Sequence, residues 1–105
     1  MSIYGEWLTA TIAIDGKESS AVNLGKDYEH INVDIPTVVS GTLQITVCRT
    51  VDGTYKDLGA SVKTDVTTGN YNDTWILGGW QFMKIKSSAT QTTTARVFYV
   101  RGYRS

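Results

Sequence analysis

Few residues in this 105-residue chain are of the kinds that do chemistry, with one cysteine (Cys48), one histidine (His30) and one proline (Pro36). A single cysteine excludes an internal disulfide and cannot build a thiolate metal cluster alone. A cysteine nucleophile would need His30 as its base, and no Cys–His arrangement of recognisable spacing is present. Glycine-rich phosphate loops and nucleophile elbows are missing too, so no catalytic residue is assigned and the chain is read as a non-enzyme without cofactors. Charge of one sign is also missing: ten basic and ten acidic side chains give a formal net charge of zero. A phosphate-binding protein needs a basic surplus on at least one face. The one basic cluster, Arg96, Arg101 and Arg104, reads as solvated strand and tail positions, and no nucleic-acid partner is expected. No apolar run is long enough to span a membrane. Met1–Leu8 has neither a basic n-region nor an apolar h-region, so synthesis and folding are expected in the cytosol.

What the chain does have is β-branched weight. Fifteen Thr, ten Val and eight Ile make up nearly a third of it. Branched side chains sit well on a pleated surface and lose freedom in a helix. A hydrophobic fraction of 41% with 19% charge is that of a folded globular chain, not a disordered one. No helical periodicity is sustained. Strict alternation appears instead over 9–15, closing on Asp15-Gly16, and then in Ala21–Leu24. Glu29–Ile35 puts Ile31, Val33 and Ile35 on one face and His30, Asn32 and Asp34 on the other. Pro36 removes a ladder donor and is expected to stop that strand. Thr42–Arg49 follows, then a turn at Val51–Thr54 and a resumed strand at Tyr55–Leu58. Residues 62–66 make a weaker strand, 67–73 a polar loop, and Thr74–Leu77 a short apolar strand broken by Gly78-Gly79. Two further alternating runs, Gln81–Ser88 and Thr92–Arg101, are joined by a small polar connection and are expected to be neighbours.

Such spacing predicts an all-β, two-sheet β-sandwich, jelly-roll-like, of about eight or nine short antiparallel strands. An N-terminal arm, 1–8, precedes a single domain, 9–105. The inward set is expected to include Ile12, Ile14, Val22, Leu24, Ile31, Val33, Ile35, Leu43, Ile45, Val47, Leu58, Ile76, Met83, Ile85, Phe98 and Val100. At ~1.5–3 kcal/mol for each large aliphatic side chain buried, that list suffices for a small domain.

Candidate sites are few. His30, Asn32 and Asp34 share a strand face, yet two of the three would be weak ligands and polar residues are normal there, so no metal is assigned. Asn70, Asn72 and Asp73 match no EF-hand spacing; such loop residues usually satisfy backbone groups. Cys48, opposite Leu43, Ile45 and Val47 in its strand, reads as a small half-exposed residue. The aromatics carry more. Tyr71, Trp75 and Trp80 lie where rings could stack on a glycan, although a tryptophan beside Gly78-Gly79 also serves to plug a sandwich end. Trp7, in a polar N-terminal segment, fits docking on a partner subunit.

Ala21–Gly25, Ile31–Pro36, Gly41–Val47, Val51–Leu58, Phe82–Ser88 and Gln91–Arg101 form an ordered set covering roughly residues 20–101. That set, in that order, resembles small accessory proteins of tailed-bacteriophage and prophage virions. Arg49-Thr50-Val51 departs from that pattern, where a Ser often precedes the Asp-Gly turn, and 59–80 is idiosyncratic. The resemblance implies a jelly-roll sandwich located in a virion, made in the host cytoplasm. The role implied is a capsid decoration or cement protein, or a small component of a tail or fibre, with no catalytic residues to carry over. Capsid or other virion proteins are the expected partners, and a homo-oligomer, taken as a trimer, is the expected state. Tyr4, Trp7 and Leu8 in the arm, with Tyr103 and Arg104 in the tail, are the expected contact residues. Carbohydrate binding by Tyr71, Trp75 and Trp80, with a surface glycan as ligand, is the alternative.

Overall fold

In the computed structural model, which describes residues 3–58, 63–66 and 69–104, alternation becomes two antiparallel sheets packed face to face. The strands are β1 (Ile3–Tyr4), β2 (Leu8–Ile12), β3 (Gly16–Glu18), β4 (Val22–Asn23), β5 (His30–Thr37), β6 (Gly41–Cys48), β7 (Lys56–Asp57), β8 (Lys63–Val66), β9 (Gly69–Ile76), β10 (Phe82–Gln91) and β11 (Arg96–Arg104). The first sheet runs β1-β11-β5-β9, with β2 also on β11; the second runs β3-β10-β6-β7, with β4 on β10 and β8 on β6. Because β1/β2, β3/β4 and β7/β8 each share one neighbour, the eleven segments occupy eight positions, in the orders 1-8-3-6 and 2-7-4-5. That connectivity is a jelly roll, and the all-β sandwich expected from the sequence stands. Met1, Ser2 and Ser105, with Val62 of the expected strand 62–66 and Thr67 and Thr68 of the expected loop, lie outside the described residues.

The core fills from both inner faces. Ile31, Val33 and Ile35 of β5 face inward with Leu43, Ile45 and Val47 of β6, Met83 and Ile85 of β10, and Phe98 and Val100 of β11. Ala10, Tyr28, Val38 and Leu77 join them, unforeseen, as does Trp75, for which a plugging place was one of the two expected roles.

Several expectations are corrected. Ile14 is 53% exposed, because β2 ends at Ile12 and Asp15 takes a positive φ of 65° to turn the chain into β3. Ile76 is 68% exposed while Trp75 and Leu77 are buried: Ile31 pairs with Trp75 and His30 with Ile76, so the inward residues are one position off the expected phase. Leu58 is only partly buried against the core. Most of the expected loop 67–73 is strand, β9 running alongside β5 from Thr37↔Gly69 to His30↔Ile76. Pro36 does not stop β5; its missing donor falls beyond the last β11 partner, Asp34↔Tyr99, where only β9 remains alongside. The two C-terminal runs are not neighbours. β10 continues to Gln91, and residues 92–95 then cross to the other sheet, with Thr93 at φ 78°. Finally, the expected arm is a sheet edge from Ile3 onward. Ile3 pairs with Arg104, Tyr4 with Tyr103, and the Gly5 N–H donates to the Gly102 carbonyl at 2.8 Å.

Candidate interaction surface

The outer faces of the two sheets differ in kind. On the second sheet, Lys84 pairs with Glu18 at 3.4 Å and Lys86 pairs with Asp57, so opposite charges meet across strands and neutralise each other. The first sheet presents rings instead. Strand register sets them in rows, because paired residues share a face. One row crosses four strands, Tyr4 (β1), Tyr103 (β11), His30 (β5) and Ile76 (β9). The next holds Arg101, Asn32 and Thr74, and a third holds Thr9, Tyr99, Asp34 and Asn72.

Within these rows the rings stack. Tyr4 and Tyr103 have centroids 5.5 Å apart at 28°, and His30 and Tyr103 lie 5.0 Å apart at 17°. The Arg101 guanidinium sits between two rings, 4.8 Å from the Tyr4 centroid and 4.7 Å from that of Trp7. A shallow groove of ≈ 290 Å³ runs beside Trp7 and Arg101 toward Asn32, Asp73 and Thr74. The Thr74 hydroxyl donates to Asn32 Oδ1 at 3.1 Å. Arg101 Nε and His30 Nδ1 are buried without a hydrogen-bond partner. Four of the exposed large hydrophobic residues, Tyr4, Trp7, Ile76 and Tyr99, belong to this face. A surface of stacked aromatics around an arginine has the composition of a protein-contact hot spot.

Of the five residues expected to bind a partner, Tyr4, Trp7 and Tyr103 meet here. Leu8 and Arg104 do not join them: Leu8 pairs with inward Val100 and packs on the core, and Arg104, one residue past Tyr103, falls on the reverse face. The expected glycan residues do not form one platform. Trp75 is in the core with its indole N–H donating to Asp73 Oδ2 at 3.1 Å. Tyr71 is at the rim of β9, paired with Ile35, and Trp80 is half-buried against the core at a different place. Trp75 takes the sandwich-plugging place that its sequence position also allowed, and not the glycan-stacking one. Ile76 was expected inside, Tyr99 had no expected role, and His30 and Arg101 were expected as solvated outward positions rather than as members of a contact surface. The alternation Tyr99, Arg101, Tyr103 carries the signal for three rows, but the adjacency of β11 to β1 and β5 is invisible in it.

A second concavity, ≈ 760 Å³, opens at the end of the second sheet between the turn after β6 and Trp80. Cys48 lines it. Its thiol is held below the usual cysteine range chiefly by the backbone N–H of Thr50, with smaller help from the Thr50 hydroxyl, the Arg49 N–H and the Arg49 charge, against the opposing effect of burial. Tyr55 is pushed the other way, by burial first and then by the negative groups Cys48, Asp52 and Glu18. Among the described residues, no group of three His, Cys, Asp or Glu side chains could hold a metal ion.

No protein-family model and no curated protein sequence matches this chain. Solved structures do. The SPBc2 prophage-derived protein YomS superposes with a TM-score of 0.57 at 12% identity, covering 99% of this chain and 96% of that one. The family 32 carbohydrate-binding module of C. perfringens NanJ, solved with galactose, gives a TM-score of 0.58 at 11% identity over 97% of this chain and 100% of that one. At such identities the likeness is one of fold.

Proposed function

We propose that this chain is a non-catalytic structural accessory protein of a phage particle, of the capsid-decoration type, attaching to another particle protein through the outer face of its first sheet. The observation that carries the reading is the ring stack Trp7–Arg101–Tyr4–Tyr103–His30 on the outer face of the first sheet. Its fold likeness to a prophage-derived protein and the resemblance of its ordered segments to virion accessory proteins supply the setting. Apolar and stacking contacts supply the binding energy, since the chain has no net charge to steer it.

Particles prepared without the protein, incubated with purified variants and sedimented, test this. Tyr4→Ala combined with Tyr103→Ala should reduce attachment at least roughly tenfold, the loss of a hot-spot pair. Lys84→Ala combined with Lys86→Ala, on the opposite face, should attach normally. Equal attachment of both would overturn the proposal, and labelling of bound protein on heads or on tails separates decoration from a tail role. A second reading, saccharide binding, is favoured by the open pocket beside Trp80 and by the fold shared with a galactose-bound module.

A further inference from the structure

The pocket at the end of the second sheet is built rather than incidental. One wall is the turn from Arg49 to Tyr55, which is braced throughout. The Gly53 N–H donates to the Thr50 carbonyl at 3.4 Å, and the Tyr55 hydroxyl to the Val51 carbonyl at 2.9 Å. The Lys84 ammonium lies 4.6 Å over the Tyr55 ring. Gly53 packs so closely on Cys48 that any side chain there would strike the Cys48 sulfur and the Thr50 hydroxyl. A wall fixed before a ligand arrives loses little freedom on binding.

Its lining is two-sided. Val47, Leu58 and the Trp80 indole give an apolar floor, with Trp80 packed against the core. Thr50 and Thr54 add hydroxyls at the rim, beside Arg49 and Lys56. The ion pairs of the described residues are Lys84–Glu18 and Lys86–Asp57, so Arg49 and Lys56 have no carboxylate partner there, while the pocket's own carboxylate, Asp57, is already held. The pocket is left with an excess of positive charge. Its volume falls in the range of small-molecule sites, about 300–1,000 Å³. A flat indole beside donors that suit hydroxyls matches the apolar face and hydroxyl edge of a pyranose ring. The uncompensated cations call for a carboxylate on that ring.

We propose that the pocket between the 49–55 turn and Trp80 binds an acidic saccharide, the ring lying on the Trp80 indole and the carboxylate facing Arg49 and Lys56. This rests on the saccharide reading and is independent of docking by the first sheet. Both roles are compatible, because the stacked rings and the pocket share no residue.

The test is titration of the ¹⁵N-labelled chain with N-acetylneuraminic acid, galacturonic acid and galactose, followed by amide and indole N–H shifts. Acidic sugars should move residues of the 49–57 segment and the Trp80 indole, with galactose at least roughly tenfold weaker, about 1.4 kcal/mol. Trp80→Ala should abolish the response. Because Trp80 also packs on the core, Arg49→Gln with Lys56→Gln is the second variant: it should fold normally and lose the preference for the acid. Ile14→Thr, at an exposed position outside the pocket, should leave the sugar response unchanged. Galactose binding as tightly as the acids at Trp80 would sink the charge assignment while sparing the saccharide reading. No response to any sugar would overturn both, and a response at Trp7 in place of Trp80 would overturn the assignment to this pocket.

Discussion

Gly102 is an inward position of β11 with no room for a side chain unless Tyr28 shifts. A Cβ built there would run into the ring of Tyr28, which is buried over it, and a Cβ on neighbouring Gly5 would come within 2.8 Å of the Tyr28 hydroxyl. Glycine in a mid-sheet strand usually marks such a close approach. Gly102→Ala should therefore overpack the site and cost ~1–3 kcal/mol, lowering the thermal midpoint by about 4–8 °C for each kcal/mol in a domain of this size. Differential scanning calorimetry reads it directly, and an unchanged midpoint would show that Tyr28 moves aside freely. Cys48 is a different case, in which reactivity and not stability is at stake. Stabilisation of the thiolate by the Thr50 N–H means that more of it ionises at a given pH, so the alkylation rate should reach half its plateau below the pH of an ordinary cysteine, about 8.5. The largest cause is a backbone group, so Thr50→Ala should raise that midpoint only part of the way back. Iodoacetamide kinetics from pH 6 to 10 would show it. A complete return to the ordinary value would assign the effect to the hydroxyl.

At the scale of elements, β9 shows what periodicity can and cannot convey. Where a strand has one apolar and one polar face, as in β5 with Ile31, Val33 and Ile35 against His30, Asn32 and Asp34, the inward set reads directly off the chain. β9 has an apolar end and a polar body, Asn70 to Thr74, because it is an edge strand only partly covered by the opposite sheet. Three apolar residues in a row, Trp75-Ile76-Leu77, then leave the phase undetermined, and only pairing with β5 fixes it. Asp73 adds to the misreading. It looks like a loop residue, yet within the strand its carboxylate accepts the Thr74 N–H at 2.8 Å and the Trp75 indole at 3.1 Å. Gly78 and Gly79, at φ 72° and 94°, then turn the chain out of the sheet. Leu77, fully buried between them and β9, is fixed by its N–H donating to Glu29 at 2.6 Å. The phase has a direct test. Leu77→Ala should cost ~2–5 kcal/mol, as truncation of a buried leucine does, whereas Ile76→Thr should stay within about 0.5 kcal/mol. Urea melts with the two results reversed would restore the expected phase. The candidate surface was legible to the same degree. Tyr4, Trp7 and Tyr103 were identifiable as unexplained aromatics, but Arg101 and His30 gained meaning only when β11 was placed between β1 and β5.

For the molecule as a whole, connectivity decides how it folds. The first position in the chain pairs with the last: β1 and β2 lie along β11, which also carries β5 on its other side. The central strand of the first sheet is therefore the last to be made, and that sheet cannot close until it arrives. The second sheet has the same character, with β3 and β4 paired to β10 across most of the chain. Loops this long must be closed before their contacts return any energy, which places such sandwiches among slow folders, in milliseconds to seconds. Local signals are nevertheless enough for β6 and β7, joined through a short turn in the same sheet, whereas the passage from β10 to β11 looks like a hairpin and is a crossing between sheets. Removing residues 96–105 should accordingly leave no stable partial structure, since β5, β2 and β1 lose their common neighbour together. Circular dichroism of the truncated chain should show loss of cooperative melting, and stopped-flow refolding of the intact chain should show no sub-millisecond major phase. A truncated chain that still melts cooperatively would mean that the second sheet and its fragment of core form a folding unit of their own, and the first sheet would then be an addition to the scaffold rather than half of it.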